Sequence, residues 1–160
     1  YMTTKNTDLV ANFEATPQVA NSAAELAGVL RTAHGSVELA AGDSTDNDIV
    51  MLAPIPSNAS VTQLFVGADE LGGSCQYNVG IYTTAGVVKD EDVFATAVDV
   101  PAALADLRFE EANIDTSRKK MWELAGDTTD PGGYFYIAVT FSATGGTAGT
   151  MAWNISYVVD

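Results

Sequence analysis

The sequence has little cysteine, little histidine and little positive charge. It contains one cysteine, Cys75, and one histidine, His34, and 7 lysines and arginines stand against 21 aspartates and glutamates. A single cysteine excludes an intrachain disulfide framework and favours a reducing site of synthesis. The net charge of −14 repels phosphate backbones, and the basic run 118–120 is too short to form an electrostatic footprint. We therefore expect no nucleic-acid partner.

Long hydrophobic runs are also missing. No stretch approaches the roughly 18 consecutive apolar residues of a membrane-spanning helix, so we expect no membrane partner. Residues 3–20 carry one lysine and no continuous apolar core, which is not the pattern of a secretory signal peptide. Synthesis and assembly in a cytoplasm are expected.

The residues that are abundant favour β-structure. Hydrophobic residues make up 47% of the chain and charged residues only 18%, so threonine, serine and other small residues must cover much of the surface. Threonine favours strands over helices. Short apolar or alternating segments separated by turn signals predict seven or eight strands, the clearest at 29–39, 49–52, 61–66, 75–83, 134–143 and 150–159.

Several of these segments carry more detailed predictions. Residues 49–52 are four apolar residues in a row, which predicts a strand buried on both faces. Gly80 interrupts one face of an alternating strand, which predicts close approach of a second backbone. Residues 84–86 and 144–149 both predict hairpin turns. Residues 89–120 are the least strand-like region and predict a long loop with one short helix at 102–107, begun by Pro101.

A second short helix is predicted between residues 117 and 124, ended by Gly126. The fold class that follows is all-β: a single-domain β-sandwich, jelly-roll-like, with one or two short connecting helices, spanning residues 21–160.

Residues 1–20 predict an extended N-terminal arm. The segment shows neither a strand nor a helix period, yet it carries three large apolar residues, Leu9, Val10 and Phe13. A frayed terminus is one interpretation. The other is that these three side chains contact a partner, where each contributes about 1.5–3 kcal/mol on burial, before the cost of ordering the chain.

Two acidic segments are candidate metal sites. Asp43, Asp46 and Asp48 lie in a loop, but neither reading frame places the oxygen ligands, glycine and glutamate of an EF-hand loop correctly. A looser calcium site stays open, while a solvated loop that protects a strand edge explains the acids without a metal. Residues 89–92 are interpreted as a solvated charge run. We expect no metal and no cofactor.

Catalytic arrangements find little support. His34 would have to serve as the base for a serine or for Cys75, and no G-x-S-x-G elbow is present. A zinc site would need two carboxylates from distant segments. The glycines of 145–149 have neither a following lysine nor a predicted helix, so they do not form a phosphate loop. Paired-carboxylate glycoside hydrolysis stays open, but we expect no enzyme and no catalytic residue.

The aromatic residues allow one further alternative. Alternating aromatics in strands usually pack in the core or pair across strands. A sugar-stacking platform is the other interpretation, and it would use Trp122, Trp153, Tyr77, Tyr82, Tyr134, Tyr136 and Tyr157.

Three segments together resemble a known class of proteins. Residues 48–73 (DIVMLAPIPSNASVTQLFVGADELGG), 77–100 (YNVGIYTTAGVVKDEDVFATAVDV) and 122–159, which ends in GTMAWNISYVV, are similar to small accessory virion proteins of tailed bacteriophages. These are the decoration or cement proteins of the head, and many are jelly-roll-like. The resemblance covers roughly residues 28–160 and contains no catalytic motif.

The resemblance implies a non-enzymatic protein that binds the outside of the capsid and stabilises it. The major capsid protein would be its partner, a homotrimer or homodimer its assembly, the head surface its location, and the host cytoplasm its site of synthesis. Leu9, Val10 and Phe13 are the candidate capsid contacts. The alternatives are a tail- or fibre-associated virion protein and a carbohydrate-binding β-sandwich module.

Overall fold

A computed structural model describes residues 6–22, 26–111 and 114–159. This part of the chain contains eight β-strands, two short α-helices and one 3-10 turn at Ile114–Thr116. In chain order the helices and strands are α1 (Asp8–Glu14), β1 (Leu30–Leu39), β2 (Ile49–Pro56), β3 (Ala59–Ala68), β4 (Gln76–Thr83), β5 (Val88–Asp99), β6 (Ala102–Asp106), α2 (Met121–Leu124), β7 (Tyr134–Ala143) and β8 (Gly149–Val159).

The strands form two four-stranded sheets in the order β1-β8-β3-β6 and β2-β7-β4-β5, and every pairing is antiparallel. The pairs β1–β8, β2–β7, β3–β6 and β4–β5 are those of one long ribbon folded at the β4–β5 turn. Rolling that ribbon brings β8 beside β3 and β7 beside β4, which produces a jelly roll. The predicted jelly-roll-like β-sandwich is confirmed.

Alternation along the central strands places the core between the sheets. Tyr77, Val79 and Ile81 of β4 point inward and are buried, as are Ile137 and Val139 of β7. Successive side chains of a strand point to opposite faces, so the alternating sequence pattern is enough to build this half of the core. The predicted strands at 75–83, 134–143 and 150–159 are confirmed.

Gly80 lies where β5 folds across the outer face of its sheet. Between the pairs Val79–Ala95 and Ile81–Asp90, β4 advances by 2 residues (79 to 81) and β5 by 5 (90 to 95). The extra residues form a large bulge, and a Cβ on Gly80 would overlap the carbonyl oxygen of Asp90. The predicted close approach of a second backbone is confirmed.

The same bulge explains why the predicted loop at 89–120 is wrong in its first part. Residues 88–99 form β5, a strand of 12 residues. An irregular strand loses the two-residue period that would reveal it in the sequence.

The helix predicted at 102–107 is also wrong, because this segment is the edge strand β6. The run Ala-Ala-Leu-Ala-Asp favours a helix locally, but pairing with β3 overrides that preference. Gly67 makes the pairing possible, since a Cβ there would lie 2.7 Å from the backbone nitrogen of Leu104. The second predicted helix is confirmed as α2. It ends before Gly126, and this glycine adopts a left-handed conformation with a φ of 78°.

Two further predictions are corrected. Strand β2 is not buried on both faces, because it is the edge strand of its sheet and leaves Ile49 and Met51 44% and 38% exposed. The predicted hairpin at 144–149 is wrong, because β7 and β8 belong to different sheets and their loop crosses the sandwich. The hairpin at 84–86 is confirmed: Thr83 and Val87 are joined by a backbone hydrogen bond of 2.8 Å.

A buried arginine holds the connection between β6 and β7 against β3 through hydrogen bonds. Arg108 is 1% exposed. Its guanidinium donates to the carbonyl oxygen of Val61 at 2.8 Å, and to the carbonyl and hydroxyl oxygens of Thr116 at 2.7 and 3.2 Å. The guanidinium carbon lies 5.3 Å from the ring centre of Phe94 and 4.5 Å from that of Phe109. Strand β3 and the 3-10 turn are thereby joined through one side chain.

The charge of Arg108 is retained at neutral pH. Burial lowers its pKa to about 10, and the nearby carboxylate of Asp106 opposes that shift.

Two buried tyrosines of β4 should respond oppositely to loss of the hydroxyl. The Tyr77 hydroxyl has no hydrogen-bond partner among the described residues, and burial raises the pKa of Tyr77 to about 12. The Tyr82 hydroxyl shares a hydrogen bond with that of Thr140. We expect Tyr77→Phe to raise the free energy of unfolding by about 1 kcal/mol and Tyr82→Phe to lower it by about 1 kcal/mol. Urea unfolding at pH 7 measures both; equal losses would contradict the expectation.

Candidate partner interface

The N-terminal arm is not extended as predicted. Residues Asp8–Glu14 form the helix α1, with Thr7 in a β-conformation at its N-cap and Asp8 in its first turn. An acidic side chain in the first turn favours the helix dipole. The side chain of Asn6 donates to Glu14 across the helix at 2.9 Å. Thr7-Asp8 is therefore a helix-start signal, and the i, i+4 spacing of Leu9 and Phe13 agrees with it.

The chain after α1 turns back along the helix. The side chain of Asn12 donates to that of Asn21 at 2.8 Å, and Asn21 donates to the carbonyl oxygen of Leu9 at 3.2 Å. The backbone N–H of Val19 donates to the carbonyl oxygen of Asn12 at 3.1 Å. Residues 6–21 thus form a small hydrogen-bonded unit. The boundary between arm and sandwich at residue 20 stays a prediction.

The three predicted contact residues lie on this unit and are largely uncovered. Val10 is 41% exposed, Phe13 is 66% exposed and Leu9 is half-buried. None of the residues of α1 is buried. The helix therefore presents apolar side chains to solvent, and their role as partner contacts stays a prediction.

An exposed ion pair connects the arm to the sandwich. Asp8 Oδ2 lies 3.2 Å from a guanidinium nitrogen of Arg118, and both side chains are mostly exposed. Exposed ion pairs of this kind contribute about 0–1 kcal/mol. The chain that follows the arm also exposes Leu26, Val29 and Leu30, and the 3-10 turn before Arg118 exposes Ile114.

The residues considered for catalysis do not come together. His34 lies on the outer face of β1 opposite Asn154, and both are exposed. Cys75 is buried in the core, where burial and the charge of Glu70 raise the pKa of its thiol. A base that points into solvent and a thiol inside the sandwich cannot form a nucleophile–base pair.

The aspartates of the 43–48 loop hold its turns. A carboxylate oxygen of Asp43 accepts a hydrogen bond from the backbone of Ala40 at 2.9 Å, and one of Asp48 accepts from Thr45 at 2.8 Å. Asp46 is exposed. Within 6–22, 26–111 and 114–159, no three histidine, cysteine or acidic side chains are grouped as metal ligands.

The acidic run at 89–92 is split by its contacts. Lys89 pairs with Asp127 at 2.7 Å instead of with its own acidic neighbours. Asp90 is half-buried, and its pKa is raised mainly by burial, then by a side-chain hydrogen bond with Asp92 and by the charges of Asp92 and Glu91, while a backbone hydrogen bond from Asp92 opposes the shift. Glu91 and Asp92 are exposed, as the solvated charge run requires.

The seven aromatics do not form one sugar platform. Tyr77 and Tyr82 are buried, and Trp122 and Trp153 pack partly against the core. Tyr134 is exposed at 56% on β7.

Among the described residues, no helix is both long and apolar enough to cross a membrane.

No protein-family model and no curated protein match the sequence. Solved structures that contain a chain of similar fold include three of phage capsids. One is from the capsid of Ralstonia phage GP4, at 19% identity and a TM-score of 0.49, covering 83% of this chain and 86% of that one. Another is from the capsid asymmetric unit of cyanophage Pam1, at 15% identity and 0.47, with the same two coverages of 83% and 86%. The third is from the acid-stable capsid of Helicobacter pylori bacteriophage KHP30, at 12% and 0.37, covering 82% and 94%. At these TM-scores the likenesses assign no function.

Proposed function

We propose that this chain is a non-enzymatic structural virion protein of a tailed bacteriophage, which binds the outside of the capsid and stabilises it. The proposal rests on the resemblance of residues 48–73, 77–100 and 122–159 to decoration proteins. Its partner would be the major capsid protein, and its location the head surface after synthesis in the host cytoplasm. A homodimer or homotrimer would present several arms to the particle at once.

The observation that carries the proposal is the exposed apolar helix at the N-terminus. Burying Val10 and Phe13 on a capsid protein contributes about 1.5–3 kcal/mol for each side chain. Part of the ordering cost is already met, because residues 6–21 are held by their own hydrogen bonds. Simultaneous attachment of several arms converts modest contacts into durable binding.

Removal of residues 1–18 tests the proposal. Because the arm buries no residue of α1 and is joined to the sandwich by an exposed ion pair, we expect the melting temperature to fall by no more than about 4 °C. Binding to capsids stripped of the protein should be lost or strongly weakened in a sedimentation assay.

Two double variants separate the apolar contacts from the rest of the arm. Val10→Ser with Phe13→Ser should reproduce the loss of capsid binding, whereas the exposed pair Val87→Ser with Leu104→Ser should bind normally. Unfolding of the truncated protein would show that the arm belongs to the sandwich. Full decoration by the truncated protein would place attachment elsewhere.

Copy number distinguishes the head from the tail. A head protein is present in many copies in each particle, and a tail or fibre protein in few. Quantitative mass spectrometry of purified particles makes this comparison, and a low copy number would favour the tail-associated alternative.

A further inference from the structure

A cleft lies at one end of the open side of the sandwich, between the last residues of β1 and the first residues of β2. Within the described residues, β1 pairs only with β8, and β2 only with β7, so both are edge strands. The cleft has a volume of about 430 Å³, within the range of about 300–1,000 Å³ that is typical of binding pockets.

The floor of the cleft is apolar and incompletely covered. Val37 and Val50 point between the sheets, since they pair with the buried residues Met151 and Val139, yet both stay half-exposed. The two sheets therefore fail to close over the core at this position, and an apolar side chain inserted here would complete the packing.

The rim of the cleft is acidic. Glu38, Asp43 and Asp48 line it, and none of the described lining residues is lysine, arginine or histidine. One oxygen of each carboxylate is held: Glu38 accepts from the hydroxyl of Thr150 at 2.8 Å, and the two aspartates accept backbone N–H groups. Each carboxylate is thus held by a hydrogen bond, that of Glu38 on the outer face of β1 and those of the two aspartates in the loop that borders the floor.

The strand edges beside the cleft are available for backbone pairing. Edge strands present unpaired N–H and C=O groups that can add a further strand. Pro54 and Pro56 interrupt this edge only in the second half of β2. β1 contains no proline at all.

We propose that this cleft binds a short extended segment of a partner protein in which an apolar side chain is flanked by lysine or arginine. The apolar side chain enters between Val37 and Val50, and the basic side chains meet the three carboxylates. A second copy of this chain is disfavoured as the occupant through the same surface, because two acidic rims would face each other and each chain carries a net charge of −14.

The cleft lies at the opposite end of β1 from the N-terminal arm. The arm contacts Arg118, and Arg118 belongs to the β6–β7 connection that Arg108 joins to Val61. Val61 pairs with Tyr157, and Tyr157 pairs with Arg31 at the start of β1. The cleft begins at Val37. A chain with two separate contact surfaces can join two neighbours, but the inference about the cleft does not depend on a virion role.

Synthetic peptides test the cleft with the full-length protein. The probe is an acetylated and amidated heptapeptide of alternating lysine and valine, compared with a lysine–serine and a glutamate–valine heptapeptide. We expect the lysine–valine peptide to shift the amide NMR resonances of residues 37–39 and 48–51. The lysine–serine peptide should bind about tenfold more weakly, and the glutamate–valine peptide should not bind.

Isosteric charge removal identifies the acidic rim. Glu38→Gln with Asp43→Asn and Asp48→Asn keeps each hydrogen-bond acceptor and should weaken lysine–valine binding about tenfold. The control, Glu91→Gln with Asp92→Asn and Asp115→Asn, removes the same charge from exposed positions and should change binding less than about twofold. Val37→Thr supplies an independent variant that makes the floor polar at nearly constant shape and should weaken binding, should the triple variant fail to fold.

Several results would overturn the inference. Equal weakening by the rim and control variants would show unspecific attraction of a cationic peptide to an acidic protein. Equal binding of the lysine–valine and lysine–serine peptides would show that the floor takes no part. Resonance shifts outside the cleft, or no binding, would reject the site. All of these outcomes are measured without capsids, so they are independent of the test of the arm.

Discussion

Replacing Arg108 by alanine is expected to lower the free energy of unfolding by about 3–5 kcal/mol. The substitution removes the hydrogen bonds that the guanidinium donates to the carbonyl oxygen of Val61 and to the carbonyl and hydroxyl oxygens of Thr116. It also leaves a cavity where the guanidinium now contacts the rings of Phe94 and Phe109. Buried carbonyl groups that lose a donor are costly, because water cannot replace it. Urea unfolding monitored by tryptophan fluorescence measures the loss.

Two further variants define the role of the guanidinium. Arg31→Ala, at an exposed position on β1, should change stability by less than about 0.5 kcal/mol. Arg108→Lys should recover only part of the loss, because one ammonium cannot reproduce the planar fork of donors. A loss below about 1 kcal/mol for Arg108→Ala would contradict the account of this residue as the fastener of the β6–β7 connection.

Replacing Gly80 by alanine is expected to destabilise the protein by about 3 kcal/mol or more, or to prevent folding. A Cβ at this position would overlap the backbone of Asp90 and Glu91. The obstacle is main chain, so no rotamer change can relieve it, and β5 would have to leave the sheet locally.

Gly42 provides the matched control for this substitution. A Cβ on Gly42 meets no atom within 4 Å, and its φ lies outside the left-handed region. Gly42→Ala should therefore leave stability within about 0.5 kcal/mol of the parent protein. Circular dichroism melting of both variants makes the comparison. Equal stability of Gly80→Ala and Gly42→Ala would show that β5 does not press against β4 as described.

The regular strands could be predicted because their burial is written into the sequence locally. In β4 and β7 the inward residues alternate with outward ones, so a two-residue period is visible without knowledge of the partner strands. Gly80 was recognised for the same reason, since a glycine inside such a period indicates a close backbone. The single turn before Gly126 also carries its own stop signal.

The irregular and edge elements could not be predicted in the same way. The bulge of β5 destroys the period, and the segment of β6 favours a helix until β3 supplies a pairing edge beside Gly67. The apolar run at 49–52 suggested complete burial, but the position of β2 at the edge of its sheet exposes Ile49 and Met51. The sequence does not reveal the cleft, because residues 49–52 predict a strand buried on both faces and Asp43 and Asp48 predict a separate solvated loop.

The candidate contact residues of the arm stand between these two cases. Composition alone marked Leu9, Val10 and Phe13 as unusual on a polar segment, and that observation needs no structure. The structure places these residues on a helix and leaves Phe13 66% exposed. That arrangement depends on side-chain hydrogen bonds from Asn6, Asn12 and Asn21, which a pattern of apolar residues cannot predict.

Composition and local alternation establish the all-β class, the acidic surface and the lack of a cysteine framework, because they act at short range. Long-range pairing sets which strands become edges, where the β5 bulge crosses Gly80, and which apolar residues stay exposed at the cleft. These features depend on pairing between residues far apart in the chain, such as Val37 with Met151. Local propensity contributes only tenths of a kcal/mol per residue to that choice, and packing outweighs it.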